Sequence, residues 1–164
     1  MTMNELEQLV GTELGKSSWI MVTQDMVDRF AKITGDEQWI HVDVDRARQF
    51  MPATGTIVHG YFTLSLVSQM MSQVVVLPES IKNRLRSTIN YGLNRLRFTE
   101  TVPVGSRIRG VISLVAVEET KKGLQVIYGV TVEIEGRDRP ALISENLVLY
   151  ILENGLFLLE KVLY

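Results

Sequence analysis

From residue 59 to about residue 76 the chain carries its longest apolar stretch, His-Gly-Tyr-Phe-Thr-Leu-Ser-Leu-Val-Ser-Gln-Met-Met-Ser-Gln-Val-Val-Val. Apolar residues cover most of the circumference of a helix built from it, which is the mark of a helix enclosed by other structure. A helix of that kind needs a surround, and the rest of the chain offers one made of strands. Residues 107–117, 124–134, 141–152 and 156–163 are rich in Val, Ile and Leu and are separated by Lys-Lys-Gly, Glu-Gly-Arg-Asp-Arg-Pro and Glu-Asn-Gly turns. The expected architecture is an α+β domain in which an antiparallel sheet wraps a long central helix. Such a sheet has open edges, and pairing with a second copy hides them, so a homodimer is expected.

Before about residue 80 the pattern is mostly helical. Met26, Val27, Phe30, Ala31 and Ile33 recur at helical spacing behind a cap at Thr23, and Gly35 stands where a helix stops. A short helical turn is expected over residues 45–50, after Asp43 and ahead of Pro52. Further on, the strand over residues 89–98 breaks its alternation: Ile89, Tyr91 and Leu93 share a face that then passes to Leu96 and Phe98. Gly92 near the break predicts a bulge or a close backbone approach. Asn90 and Asn94 fall on the side opposite Tyr91, facing either a pocket or solvent.

With 164 residues, 46% of them hydrophobic, the chain can bury a core without disulfides or metals, and no repeat or linker divides residues 1–164. A net charge of −2 gives no field for nucleic acid or an anionic membrane. The one basic cluster, Lys82, Arg84, Arg86, Arg95 and Arg97, reads as a solvated face or as a contact for a nucleotide-bearing substrate. There is no cysteine, so thiolate nucleophiles and thiol ligation are excluded. The acidic start lacks the pattern of a secretion signal and no apolar run reaches membrane-spanning length, which predicts a cytoplasmic location.

The two histidines, His41 and His59, fall in a twenty-four-residue stretch with Asp36, Asp43 and Asp45. Histidine changes charge nearest neutral pH and is the natural general acid or base. On a continuous helix Asp36 and His41 would diverge by about 140°. A helix stopped at Gly35 instead leaves a bent segment able to bring carboxylate and imidazole to within a water molecule of each other. Such a pair can split the tasks of taking a proton from water and delivering one to carbon. His59-Gly60 lies at the expected start of the buried helix, where amides lack intrahelical partners. Gly60 either lets a ligand oxygen approach its amide or permits close packing. His41, Asp43 and Asp45 alternate without forming a specific metal signature. Phosphate-binding loops and Gly-x-Ser-x-Gly turns are absent.

Phe30-Ala-Lys-Ile-Thr-Gly-Asp-Glu-Gln-Trp-Ile-His-Val-Asp, Ile57-Val-His-Gly and Ser65-Leu-Val-Ser68 resemble the hydratase motif of the MaoC-like family, which includes (R)-specific enoyl-CoA hydratases and NodN relatives. Asn90-Tyr-Gly-Leu-Asn-Arg-Leu-Arg-Phe and Val102-Pro-Val-Gly-Ser-Arg resemble the same family's strand and turn, so the likeness spans roughly residues 20 to 150. It implies a hot dog fold, a homodimer with pockets near the interface, and an acyl-CoA thioester substrate with no cofactor and no metal. By position, Asp36 and His41 would be the catalytic pair holding water and Gly60 would offer its amide to the thioester carbonyl. Ser68 would order the site, with His59 and Asn90 as further substrate-binding candidates. Many relatives carry Asn-Pro where this chain has Gln38-Trp39, a change that bears on substrate choice rather than chemistry. The implied reaction is reversible hydration of trans-2-enoyl-CoA to (R)-3-hydroxyacyl-CoA. Its rivals are a hot dog acyl-CoA thioesterase and a non-catalytic acyl-thioester-binding protein. Met70, Met71 and Val74 to Val76 either line an acyl tunnel or fill core.

Overall fold

Thr23 opens the first long helix: its hydroxyl accepts a hydrogen bond from the Met26 amide at 3.4 Å, satisfying one of the amides a helix start leaves open. Gly35 ends that helix at φ 77°, a left-handed conformation that only glycine adopts without cost, and its amide donates to the Ala31 carbonyl at 2.8 Å. Replacing Gly35 with Ala is expected to lower stability by about 1 kcal/mol, read as a shift of the urea midpoint at unchanged slope.

The computed structural model describes residues 4–121 and 123–153. Along the chain these form α1 (Asn4–Glu7), β1 (Glu13–Lys16), β2 (Ile20–Met21), α2 (Gln24–Thr34), α3 (Trp39–Val42), α4 (Val44–Phe50), α5 (Gly60–Ser65), α6 (Val67–Val74) and α7 (Glu79–Lys82). Four long strands follow: β3 (Leu85–Phe98), β4 (Arg107–Thr120), β5 (Gly123–Ile134) and β6 (Leu142–Leu152). The sheet order is β1-β4-β5-β6-β3, with β2 also on β4, and every pairing is antiparallel. The strand expected over residues 156–163 lies outside the described residues.

β5 has the period-2 pattern that a sheet with one covered face requires. Leu124, Val126, Tyr128, Val130, Val132 and Ile134 are buried and the residues between them are half-buried. That covered face meets Phe62, Leu66, Val67, Met70 and Met71 of α5 and α6 in one core. Gly110 on β4 lets the helix come close, because a Cβ there would stand 3.0 Å from Met70 Cβ. An antiparallel sheet packed on one central helix is the hot dog arrangement.

The central helix departs from the expectation in three ways. It is interrupted at Leu66, although the Leu66 amide still reaches Phe62 at 3.2 Å and its carbonyl accepts from Met70 at 3.0 Å. It also ends at Val74, so Val75 is extended and Val76 is 86% exposed. Nor is it enclosed on all sides in the single chain. Ser65, Ser68, Gln69, Ser72 and Gln73 are exposed and share a stripe at helical spacing.

The break in β3 is found where Gly92 places it. Pairing with β6 shifts between Asn90 and Gly92 and again between Leu93 and Arg95. β3 stands at the end of the sheet order, with no strand beyond it among the described residues. No helix among them is long and apolar enough to cross a membrane.

Candidate functional site

The left-handed turn at Gly35 deflects the chain off the α2 axis, and Asp36 lies in the bend before α3 turns His41 inward. His59, the residue preceding α5, arrives from the other side. The structure therefore brings Asp36, His41 and His59 together, with one potential ligand atom of each within 4.8 Å of the others. His41 is 7% exposed and His59 2%.

Each member is held by a defined bond. His41 Nδ1 lies 2.7 Å from the Ile57 carbonyl, so Nδ1 carries the hydrogen and Nε2 keeps a lone pair. The His41 carbonyl accepts from Gln24 Nε2 at 2.7 Å, and Gln24 Oε1 accepts from the Thr56 hydroxyl at 2.6 Å. Those two bonds tie α2 to α3 and to the segment before α5. Asp36 Oδ1 accepts from Gln38 Nε2 at 3.1 Å. Gln38, one of the two residues at which this chain departs from the motif it resembles, thus orients the carboxylate. Trp39 turns outward, with the Arg46 guanidinium 4.6 Å from its ring and Phe50 edge-on at 6.0 Å. Gln24 and Thr56 gave no signal in the sequence, since a glutamine in a first helical turn and a threonine in a loop are ordinary.

Burial holds His41 below its ordinary pKa of 6.5, and the neighbouring His59 pushes the same way. The Ile57 carbonyl and the Asp36 carboxylate pull it back up without cancelling the shift. His41 is therefore a neutral base at neutral pH. Between its folded value and 6.5 the unfolded chain binds more protons, so stability rises with pH through that window. This contribution is complete above the unfolded value and is lost as pH falls through the folded one. Urea unfolding between about pH 7 and about pH 5 is expected to lose stability on acidification, with a smaller slope in His41→Gln. An equal slope in that variant would contradict the assignment.

The three groups are poorly arranged for a metal ion. The two imidazoles stack with centroids 3.7 Å apart and planes 26° apart, so their in-plane lone pairs run side by side rather than converge. Asp43 and Asp45 point elsewhere: Asp43 accepts from the Arg46 amide at 2.9 Å, and Asp45 pairs with Arg48 at 3.4 Å.

Ser68 and Asn90 form a second group. Asn90 Nδ2 donates to Ser68 Oγ at 3.1 Å across the gap between α6 and β3. Both line a cleft of about 380 Å³ with Met71, Val75, Thr88 and Tyr150, and a neighbouring one of about 240 Å³ that also reaches Leu93. Neither cleft is lined by Asp36 or His41. Met71 and Val75 thus line the space and Met70 is core at 0% exposure. Gly60 begins α5, with the Phe98 ring 3.0 Å from where a Cβ would stand, so close packing by itself accounts for the glycine. Its amide, at the first helical position, has no intrahelical acceptor. In the basic cluster, Lys82 pairs with Glu79 at 3.1 Å and Arg95 approaches Glu145 at 3.9 Å, exposed contacts of little energetic weight.

Comparison with known proteins bears on the family and the fold. The model of the family described as MaoC like domain matches residues 5–135. The 3-hydroxyacyl-thioester dehydratase Z of Mycobacterium tuberculosis is 42% identical over 148 residues, covering 90% of this chain and 94% of that protein. Nodulation protein N of Rhizobium leguminosarum bv. viciae is 42% identical over 144 residues, covering 87% and 86%. Among solved structures, the (R)-hydratase from A. caviae involved in PHA biosynthesis superposes with a TM-score of 0.66 at 23% identity, covering 85% of this chain and 97% of that one. R-hydratase PhaJ1 from Pseudomonas aeruginosa gives 0.67 at 22%, covering 88% and 83%. At those identities the two structures speak for the shared fold. From the extent of the family match and of the two sequence relatives, the chain belongs to the MaoC like domain family.

Proposed function

We propose that this protein is a hydro-lyase that reversibly hydrates trans-2-enoyl-CoA to (R)-3-hydroxyacyl-CoA. The observation that carries the reading is a neutral imidazole with a free Nε2 beside the Asp36 carboxylate, both fixed by their neighbours. A water between them donates a hydrogen bond to each. Its oxygen bonds to the β-carbon as one proton passes to the pair, the π electrons move toward the thioester carbonyl, and the α-carbon receives a proton. The elements of one water are added, no electron acceptor is needed, and no cofactor enters. Because two coupled groups titrate together, acid and base are roles of the pair.

In this reading the Gly60 amide supports the negative charge developing on the thioester oxygen. Ser68 and Asn90 order the acyl portion in the cleft between α6 and β3. The name of the 3-hydroxyacyl-thioester dehydratase relative supports a thioester substrate. In this reading the protein acts in the cytoplasm and as a homodimer, the pairing supported by a β3 that has no strand on its outer side among the described residues and by a serine stripe of the central helix that faces away from the core. A second copy along that edge would also bring two clefts and two Asp36/His41 pairs close together.

Incubation with crotonyl-, octenoyl- and dodecenoyl-CoA, followed by oxidation with 3-hydroxyacyl-CoA dehydrogenases of opposite stereospecificity, tests this. The expected product is oxidised by the (R)-specific enzyme. An (S) product, or no product at any chain length, would overturn the reading.

A further inference from the structure

His59 is the least exposed polar group of the cluster, and the chemistry above does not use it. Its ring lies between His41, stacked at 3.7 Å, and Phe30, tilted at 5.2 Å. Nε2 lies 2.8 Å from the Asp36 carbonyl, which fixes the hydrogen on Nε2. Nδ1 is buried without a hydrogen-bond partner among the described residues. We propose that His59 is a positioning residue: a ring that anchors the Asp36 backbone, stacks on His41 and thereby sets the carboxylate–imidazole geometry.

The tautomer follows from the surroundings: a hydrogen on Nδ1 would be a buried donor with no acceptor among the described residues, at the cost of an unmade hydrogen bond. The other charged groups near the pair are engaged elsewhere. Asp36 stands in the α2–α3 bend, and Asp28 on α2 reaches the His41 carbonyl only through Gln24. The charges of α4 are engaged locally, Asp43 on the Arg46 amide, Asp45 on Arg48 and Arg46 over Trp39. The tie to the Asp36 carbonyl also joins the bend after Gly35 to the start of α5, which explains why a histidine preceding a helix makes no side-chain cap of its own.

This inference rests on the hydratase reading for its kinetic effect but not for its tautomer, so the two can fail separately. In the wild-type protein, nitrogen-15 NMR of histidine-labelled material is expected to find His59 as the Nε2–H tautomer. Finding Nδ1–H would overturn the proposal even if hydration is confirmed.

Two variants supply the kinetic arm with crotonyl-CoA. His59→Phe keeps a ring and loses the Asp36 tie, whereas His59→Gln can keep the tie and loses the ring. Both are expected to lower kcat by about 10- to 100-fold, with KM changed less than about threefold. Both should also move the acid limb of the kcat/KM profile to higher pH, since a neighbour that lowers the His41 pKa has been removed. A residue that only fills space would lower activity while leaving that limb in place, and an unmoved limb in both variants would overturn the proposal. If the wild type fails to hydrate crotonyl-CoA, the functional reading falls while the NMR outcome still decides the role of His59.

Discussion

Asp36→Asn is expected to lower kcat/KM for crotonyl-CoA hydration by about 10³-fold, with the fold intact. The asparagine is nearly isosteric, and its amide oxygen can still accept from Gln38 Nε2, the 3.1 Å bond that holds the native carboxylate. It removes a proton acceptor and the negative charge that draws the His41 pKa upward. His41→Gln should cost a similar factor, because it removes the free Nε2 lone pair. The double variant should be little worse than either single one, since two groups sharing one water act as a unit. Steady-state kinetics beside circular dichroism measure both parts. Loss of less than about threefold in Asp36→Asn would leave the pair without a catalytic role and would favour a protein that binds acyl thioesters without transforming them.

The second large effect concerns the core. Met70→Ala is expected to cost about 2–5 kcal/mol, or a fall of roughly 4–20 °C in Tm for a chain of this size. Met70 is fully buried where α6 rests on β4, and the facing residue is Gly110, which has no side chain to move into the space. That juxtaposition predicts a coupling. Gly110→Ala in the native background places its Cβ 3.0 Å from Met70 Cβ and 3.2 Å from Sδ, so it destabilises. In the Met70→Ala background the same methyl enters the vacated volume and should restore part of the loss. Urea titrations of the four proteins measure the cycle, and additive effects would show that helix and sheet do not meet as described.

Much of this arrangement was legible in the residues because it follows from short-range rules. Thr23 and Gly35 mark both ends of α2, and Gly92 marks the irregular part of β3. Strand boundaries for β4 to β6 follow runs of branched residues between turn sequences. Ile33 is instructive in the other direction. It stands in the last turn at the edge of an apolar stripe whose buried centre is Val27 and Ala31, and it is 85% exposed. β1 and β2 escaped notice because each has two to four residues and forms only by adding to β4. The helix over residues 60–74 looked enclosed because counting apolar residues hid the shared direction of Ser65, Ser68 and Ser72.

The site divides along the same line. Asp36 and His41 are five residues apart with a helix stop before them, so their convergence could be argued from local geometry. His59 is another eighteen residues on, and no local rule predicts that its ring stacks on His41 or bonds the Asp36 carbonyl. The Gln24–Thr56 bond spans thirty-two positions and is just as silent in the sequence. Gln38 could be read only as a departure from a family pattern until its amide was seen on the carboxylate. What sequence leaves out is the long-range contact that turns two plausible side chains into a fixed pair.

The most direct test of the hydratase reading is to follow crotonyl-CoA by its enoyl absorbance and by a thiol-reactive dye in the same cuvette. The account predicts that the enoyl signal decays to an equilibrium while no thiol appears. Release of free CoA in step with that decay would place the attack at the carbonyl and contradict it.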